Sequence, residues 1–139
     1  MRKPKETRIK SLFSARKSIT GHWVAIMNYE KHNRALKLSS YRTRCIRAGE
    51  IHEFLLCNQK VKTDDPIDAV AYLGFGEMSA GGVIEVGDLF YCKKELIGKI
   101  IGFDETHFPN HYNIVLQGDI FSSGADRGLS LSDSFVIFK

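Results

Sequence analysis

The stretch "GDLFYCKKELIGKIIGFDETHFPNHYNIVLQGD", residues 87–119, decides the fold. Its central run, "LIGKIIGF" at 96–103, is apolar on both faces apart from Lys99. That is the pattern of a strand covered on both sides, where a half-wet strand would alternate. Gly98 and Gly102 fall on one face, as they must where a strand bends or lets another backbone approach. The Gly87-Asp88 pair suits a tight turn feeding a new strand, and "NIVLQG" at 113–118 resumes an aliphatic strand after the polar loop 104–113.

Working outward, "IEVGDLFY" (84–91), "LQGDIF" (116–121) and "LSLSDSFVIF" (129–138) share one order: apolar residue, small residue, Asp, then hydrophobics. Repeated strand, turn, strand units of this size predict a closed or nearly closed barrel over residues 83–139. Upstream, "HWVAIMNYE", the polar "KHNR" and "ALKLSSYRTRCIR" predict a β-hairpin within residues 21–62, followed by a strand at "EFLLCNQKV". Residues 63–82 predict a short helix and a Gly-rich connection. Asp65 is a good N-cap, Pro66 fits the first helical position, Asp68 favours the positive end and Gly74 can close the helix, which places it near residues 66–73. "GFGEMSAGG" then reads as a flexible link. Residues 1–20 form a basic N-terminal arm or a short amphipathic helix with Ile9, Leu12 and Phe13 on one face. The expected class is mostly β: a small single-domain β-barrel with one short helix and a basic N-terminal arm.

The order of turn glycines and aliphatic strands over residues 83–121 resembles the barrel half of the glucitol/sorbitol-specific enzyme IIA family of the bacterial phosphotransferase system. The resemblance implies an architecture. That family's phosphoryl-accepting histidine lies outside this barrel stretch, and here residues 53–106 hold no histidine while His52 sits in no matching context. The resemblance therefore implies no phosphocarrier activity, and points to an uncharacterised bacterial family on a related scaffold.

With 139 residues the chain can bury roughly two-thirds of its unfolded surface as one domain. Cys45, Cys57 and Cys92 are odd in number, widely spaced and without a C-x-x-C pair, so they are expected to be buried small hydrophobes in a reducing compartment. The basic N-terminus reaches no continuous apolar h-region and no run approaches the ~20 residues of a membrane span, so a cytoplasmic protein without membrane contact is expected. Residues 1–62 carry 15 Lys/Arg against 4 Asp/Glu, and residues 63–139 carry 5 against 12. Either the basic half meets an anionic partner or the two halves neutralise each other.

Four chemistries can be weighed. Nucleophilic catalysis has no G-x-S-x-G elbow, no Cys-His motif and no Walker or dinucleotide glycine loop behind it. A divalent metal could be held by His107, His111 and Glu105, with Asp104, His52 and Glu53 within reach, as in a metal-dependent cupin-like enzyme. Pro109, however, breaks the helix that the four-residue His spacing would need, and both cupin motifs are incomplete. Nucleic acid could stack and pair along Trp23, Tyr29, Tyr41, Arg42, Arg44 and Arg47, without any RRM, KH or helix-turn-helix signature. Lastly, Asp104, His107 and His111 in one loop, and Asp126 and Arg127 in "SSGADRGLS", could rim one barrel mouth that receives a small-molecule ligand or a protein partner. This last, non-enzymatic reading is the favoured one, with no cofactor required.

Overall fold

The computed structural model describes residues 11–58 and 66–139. The strands are β1 Ile19–Lys31, β2 Thr43–Ile46, β3 Ile51–Cys57, β4 Val70–Met78, β5 Gly82–Glu85, β6 Leu89–Cys92, β7 Glu95–Asp104, β8 Asn113–Gln117 and β9 Ser134–Phe138. Seven of them close a barrel in the order β1-β4-β3-β8-β7-β6-β9, and β9 returns to β1. Closure leaves the barrel no open edge. β2 and β5 form a separate two-stranded sheet. β3 and β8 pair in parallel, while the other pairs are antiparallel.

The aromatic residues set the interior. Trp23, Phe54, Phe90 and Phe135 meet inside with ring centroids 4.8 to 6.0 Å apart, each essentially without exposure. Burying each such side chain is worth about 1.5–3 kcal/mol. Along β3 and β8, Phe54, Leu56, Ile114 and Leu116 point into this cluster, while Leu55, Cys57 and Val115 alternate to the outside. The outer residues are covered by Leu36 and Leu38, from the segment between β1 and β2, and by Ile67. Leu36 and Ile67 exchange backbone hydrogen bonds of 2.8 Å that pin this cover in place.

The barrel draws on both halves of the chain, and three upstream expectations are corrected. The helix near 66–73 is absent, as is any helix among the described residues. Asp65, its proposed cap, lies outside them. Val70 and Tyr72 fill the outer cluster while Ala71 and Leu73 fill the inner one, so both faces of the segment are buried at a period of two. Partners on both sides, β1 and β3, complete its hydrogen bonds in a way no isolated two-turn helix could match. Asp68 ties down the cover instead, through its carbonyl to Arg34 N and its side chain to Ala35 N.

The hairpin of residues 22–47 does not form either. β1 spends its hydrogen bonds on β4 and β9, so the chain crosses the barrel wall and β2 finds β5. "GFGEMSAGG" is no flexible link: residues up to Met78 continue β4. Gly76 is needed there because a Cβ would come 2.6 Å from the Phe135 ring. The proposed helix through Ile9 falls outside the described residues, and Leu12 and Phe13 lie in no helix. Cys57 and Cys92 are buried as expected, whereas Cys45 is exposed. Among the described residues no helix is long and apolar enough to cross a membrane.

Candidate functional site

Adjacent registers on three strands bring three polar residues side by side. Asp104 on β7 pairs with Asn113 on β8, and Asn113 pairs with Glu53 on β3. All three are at most 4% exposed. Asp104, Asn113 and Glu53 form a lateral polar row on the wall that carries the outer cluster, just beyond its apolar part. Phe75 on β4, opposite Glu53 in register, continues the line. The loop between β7 and β8 folds over the row and drops His111 onto it.

Asp104 is fully engaged. It accepts from Asn113 Nδ2 at 2.7 Å, from Thr106 Oγ1 at 2.7 Å and from Arg34 Nη2 at 3.3 Å. The others are not. His111 Nε2 faces Glu53 Oε1 at 3.5 Å, beyond a hydrogen bond, while its Nδ1 meets Asn110 Oδ1 at 2.6 Å. Nε2 of His111 and Oδ1 of Asn113 are buried without a hydrogen-bond partner among the described residues. The His111 ring stands edge-on to Phe75, 5.0 Å between centroids. Two buried polar atoms, one on His111 and one on Asn113, thus converge beside the Glu53 carboxyl group without partners, at a cost of about 1–3 kcal/mol for each unsatisfied buried group.

The sequence expectations divide accordingly. Asp104 and His111 belong to this cluster, and exposed His107 lies on its outer side, its ring stacked on His111 at 5.2 Å. Glu105 turns away to pair with Arg44 at 2.7 Å. Glu105, His107 and His111 therefore do not converge on one point, and among the described residues no three His, Cys, Asp or Glu side chains are grouped to hold a metal. Asp126 and Arg127 lie elsewhere. Arg127 Nη1 is 3.6 Å from Glu95, at the start of β7, whereas Asp104 ends that strand. At about 3.3 Å per residue the Glu95 end that Arg127 reaches is about 30 Å along β7 from Asp104, so Arg127 and Asp104 do not rim one mouth.

A family profile matches residues 13–138, from the arm that precedes β1 to the last residue of β9. The chain belongs to a family of unknown function, DUF6917. No curated protein and no solved structure matches it.

In this DUF6917 protein, burial sets the charge state of the cluster. Glu53 is pushed up to about 7 by desolvation, and the nearby Asp104 carboxylate adds to this against the pull of Arg34. Burial also holds His111 below its ordinary value, reinforced by His107 and His52. Asn113 and Asp104 draw it the other way, Asn113 without meeting Nε2 in hydrogen-bond geometry. Near neutral pH the pair is a carboxyl group about half protonated beside a neutral imidazole, which together can donate and accept.

Flanking the cluster, an aromatic and cationic stack supports the loop. Arg44 lies over Tyr112 at 4.2 Å and Tyr41 at 4.7 Å, and Tyr112 packs against His52 and Phe108. His52 Nδ1 accepts from Tyr112 N at 3.1 Å. The arginines of the basic half mostly meet acids of the other half. Arg16 binds Asp88 with two hydrogen bonds of 2.6 and 2.8 Å, Arg34 meets Asp104, Arg42 meets Glu85 and Arg44 meets Glu105. Trp23, offered as a stacking residue for nucleic acid, is enclosed in the barrel.

The sequence points to Glu53 only as a metal ligand within reach, and it singles out none of Asn113, Arg34 and Phe75 as a site residue. One signal was available. Glu53 immediately precedes the apolar run "FLLC", at a strand position whose alternates, Leu55 and Cys57, are apolar.

Proposed function

We propose that this protein is a non-enzymatic small-molecule-binding barrel. Its site is the polar row beneath the 104–113 loop, where Glu53, His111 and Asn113 receive a small, uncharged, hydrogen-bonding ligand. One observation carries this: two buried polar atoms, His111 Nε2 and Asn113 Oδ1, lack partners beside a buried carboxyl group. A ligand offering both a donor and an acceptor would satisfy them, and an ionic one would have to shed its hydration beside Asp104 and Arg34. The loop is the natural way in. Thr106 to Asn110 are exposed, and the loop's own turn is closed by short-range bonds such as Phe108 N to Glu105 O and Asn110 N to His107 O.

A thermal-shift screen of neutral polar metabolites tests the assignment. A compound that raises the melting temperature of the wild type should lose its effect in His111→Ala and Asn113→Leu. No stabilising compound, or one equally effective on both variants, would remove the site from consideration. No observation favours a metal enzyme or a nucleic-acid surface over this reading.

A further inference from the structure

Around the far end of β7 lies a cavity of about 290 Å³, at the small end of the roughly 300–1,000 Å³ range of ligand pockets. Leu89, Leu96 and Ile120 supply its apolar wall, and Gly98 and Gly118 leave bare backbone where side chains would stand. The bareness is enforced, since a Cβ on Gly118 would strike the Ile97 carbonyl and one on Gly98 would come 2.6 Å from Gln117 O. Two cations, Lys99 and Arg127, line the same space against one carboxylate, exposed Asp119.

Arg127 is the informative residue. Its side chain is only 8% exposed, and Nη2 donates to Ile120 O at 2.8 Å, which fixes the guanidinium plane. Nη1 lies 3.6 Å from a Glu95 carboxylate that is itself 59% exposed, too far for a hydrogen bond. Nε is buried and has no partner among the described residues. A buried guanidinium with spare donors is costly unless an anion completes it, and guanidinium matches a carboxylate edge to edge. Lys99 forms no ion pair with any described residue, so a second positive charge is available at the wall.

We propose that this cavity binds a small monocarboxylate with a short apolar body, its carboxylate on Arg127 and Lys99 and its chain against Leu89, Leu96 and Ile120. The site is separate from the polar row beneath the 104–113 loop and stands or falls without it.

Hexanoate is the probe, with 1-hexanol and acetate as controls, followed by amide chemical shifts of the full chain. Saturable shifts should gather at residues 96–99 and 117–120, with hexanol and acetate each at least about tenfold weaker, because one lacks the charge and the other the chain. Lys99→Gln should weaken hexanoate about fivefold or more, and Arg127→Gln more still. Should Arg127→Gln fail to fold, the exposed Lys99 variant decides alone. Glu53→Gln should bind hexanoate as the wild type does. Absent or unsaturable shifts, equal response to hexanol, unchanged affinity in Lys99→Gln, or shifts centred on Asn113 would each overturn the proposal.

Discussion

His111 Nε2 faces Glu53 Oε1 across 3.5 Å, both side chains at least nine-tenths buried, and no hydrogen bond joins them. Glu53 titrates near 7 in the folded protein because burial penalises its charged form. An acid whose native value lies above its unfolded value binds more protons folded than unfolded. The stability it contributes is therefore complete below about 4.5 and is lost as pH rises towards 7. Glu53→Gln should abolish that decline, and urea unfolding at pH 5 and pH 8 should show a difference of up to about 3 kcal/mol in pH dependence between the two proteins. Parallel profiles would mean that Glu53 is hydrated. His111 has the opposite sign. Held neutral by burial, it contributes stability that is present above about 6.5 and lost as pH falls, so His111→Ala should flatten the acidic side of the profile.

Arg16 ties the segment before β1 to the β5–β6 turn. It forms a bidentate pair with Asp88 while Ser11 Oγ and Leu12 N donate to Glu85, and all three charged side chains are at most 7% exposed. Burial pushes the Glu85 carboxyl up, but Ser11, Leu12, Arg16 and Arg42 together hold it below its usual value. Arg16→Met should cost about 3–5 kcal/mol in chemical unfolding, because Asp88 is left buried without its cation and Glu85 keeps only Arg42. Adding Asp88→Asn should recover part of that loss. A strictly additive double variant would show that the pair is not coupled.

Gly76 lies against the aromatic centre of the barrel. A methyl group there would come 2.6 Å from Phe135 and 3.0 Å from Phe54. Gly76→Ala should destabilise the protein by about 1–3 kcal/mol, and Phe135→Leu in the same chain should cost less than it does alone. Equal melting temperatures for Gly76→Ala and the wild type would contradict the packing described.

Thiol and indole reporters check the inside-outside assignment. Of the three cysteines, Cys45 should react at once with a thiol reagent and Cys57 and Cys92 only on unfolding. Burial also raises the Cys92 thiol, which slows its reaction further. Trp23, the single tryptophan, donates Nε1 to Cys92 Sγ at 3.4 Å, so its fluorescence should be blue-shifted and insensitive to iodide. Quenching by iodide or by added oligonucleotide would place the indole at the surface.

The sequence by itself determined the class. The doubly apolar run at 96–103, the Gly-Asp turn at 87–88 and the spacing of aliphatic strands sufficed for a barrel, because period-two burial and turn chemistry are local properties. Strand partners were not local. In sequence, residues 66–73 lie between a capping Asp65 and a closing Gly74, yet from Val70 onward the segment is paired with β1 and β3, and β2 pairs with β5 because β1 has no free edge left. The same distinction holds for the sites. Asp104 and His111 were visible as a polar loop, and Arg127 as a charge in another, but the sequence put both loops at one mouth. Only the register Asp104–Asn113–Glu53 could gather a buried polar row from three strands, and only the length of β7 could set Arg127 at the opposite end. Burial and distance between residues far apart in the chain are created by long-range pairing, and a single sequence records them only as isolated polar residues in apolar surroundings.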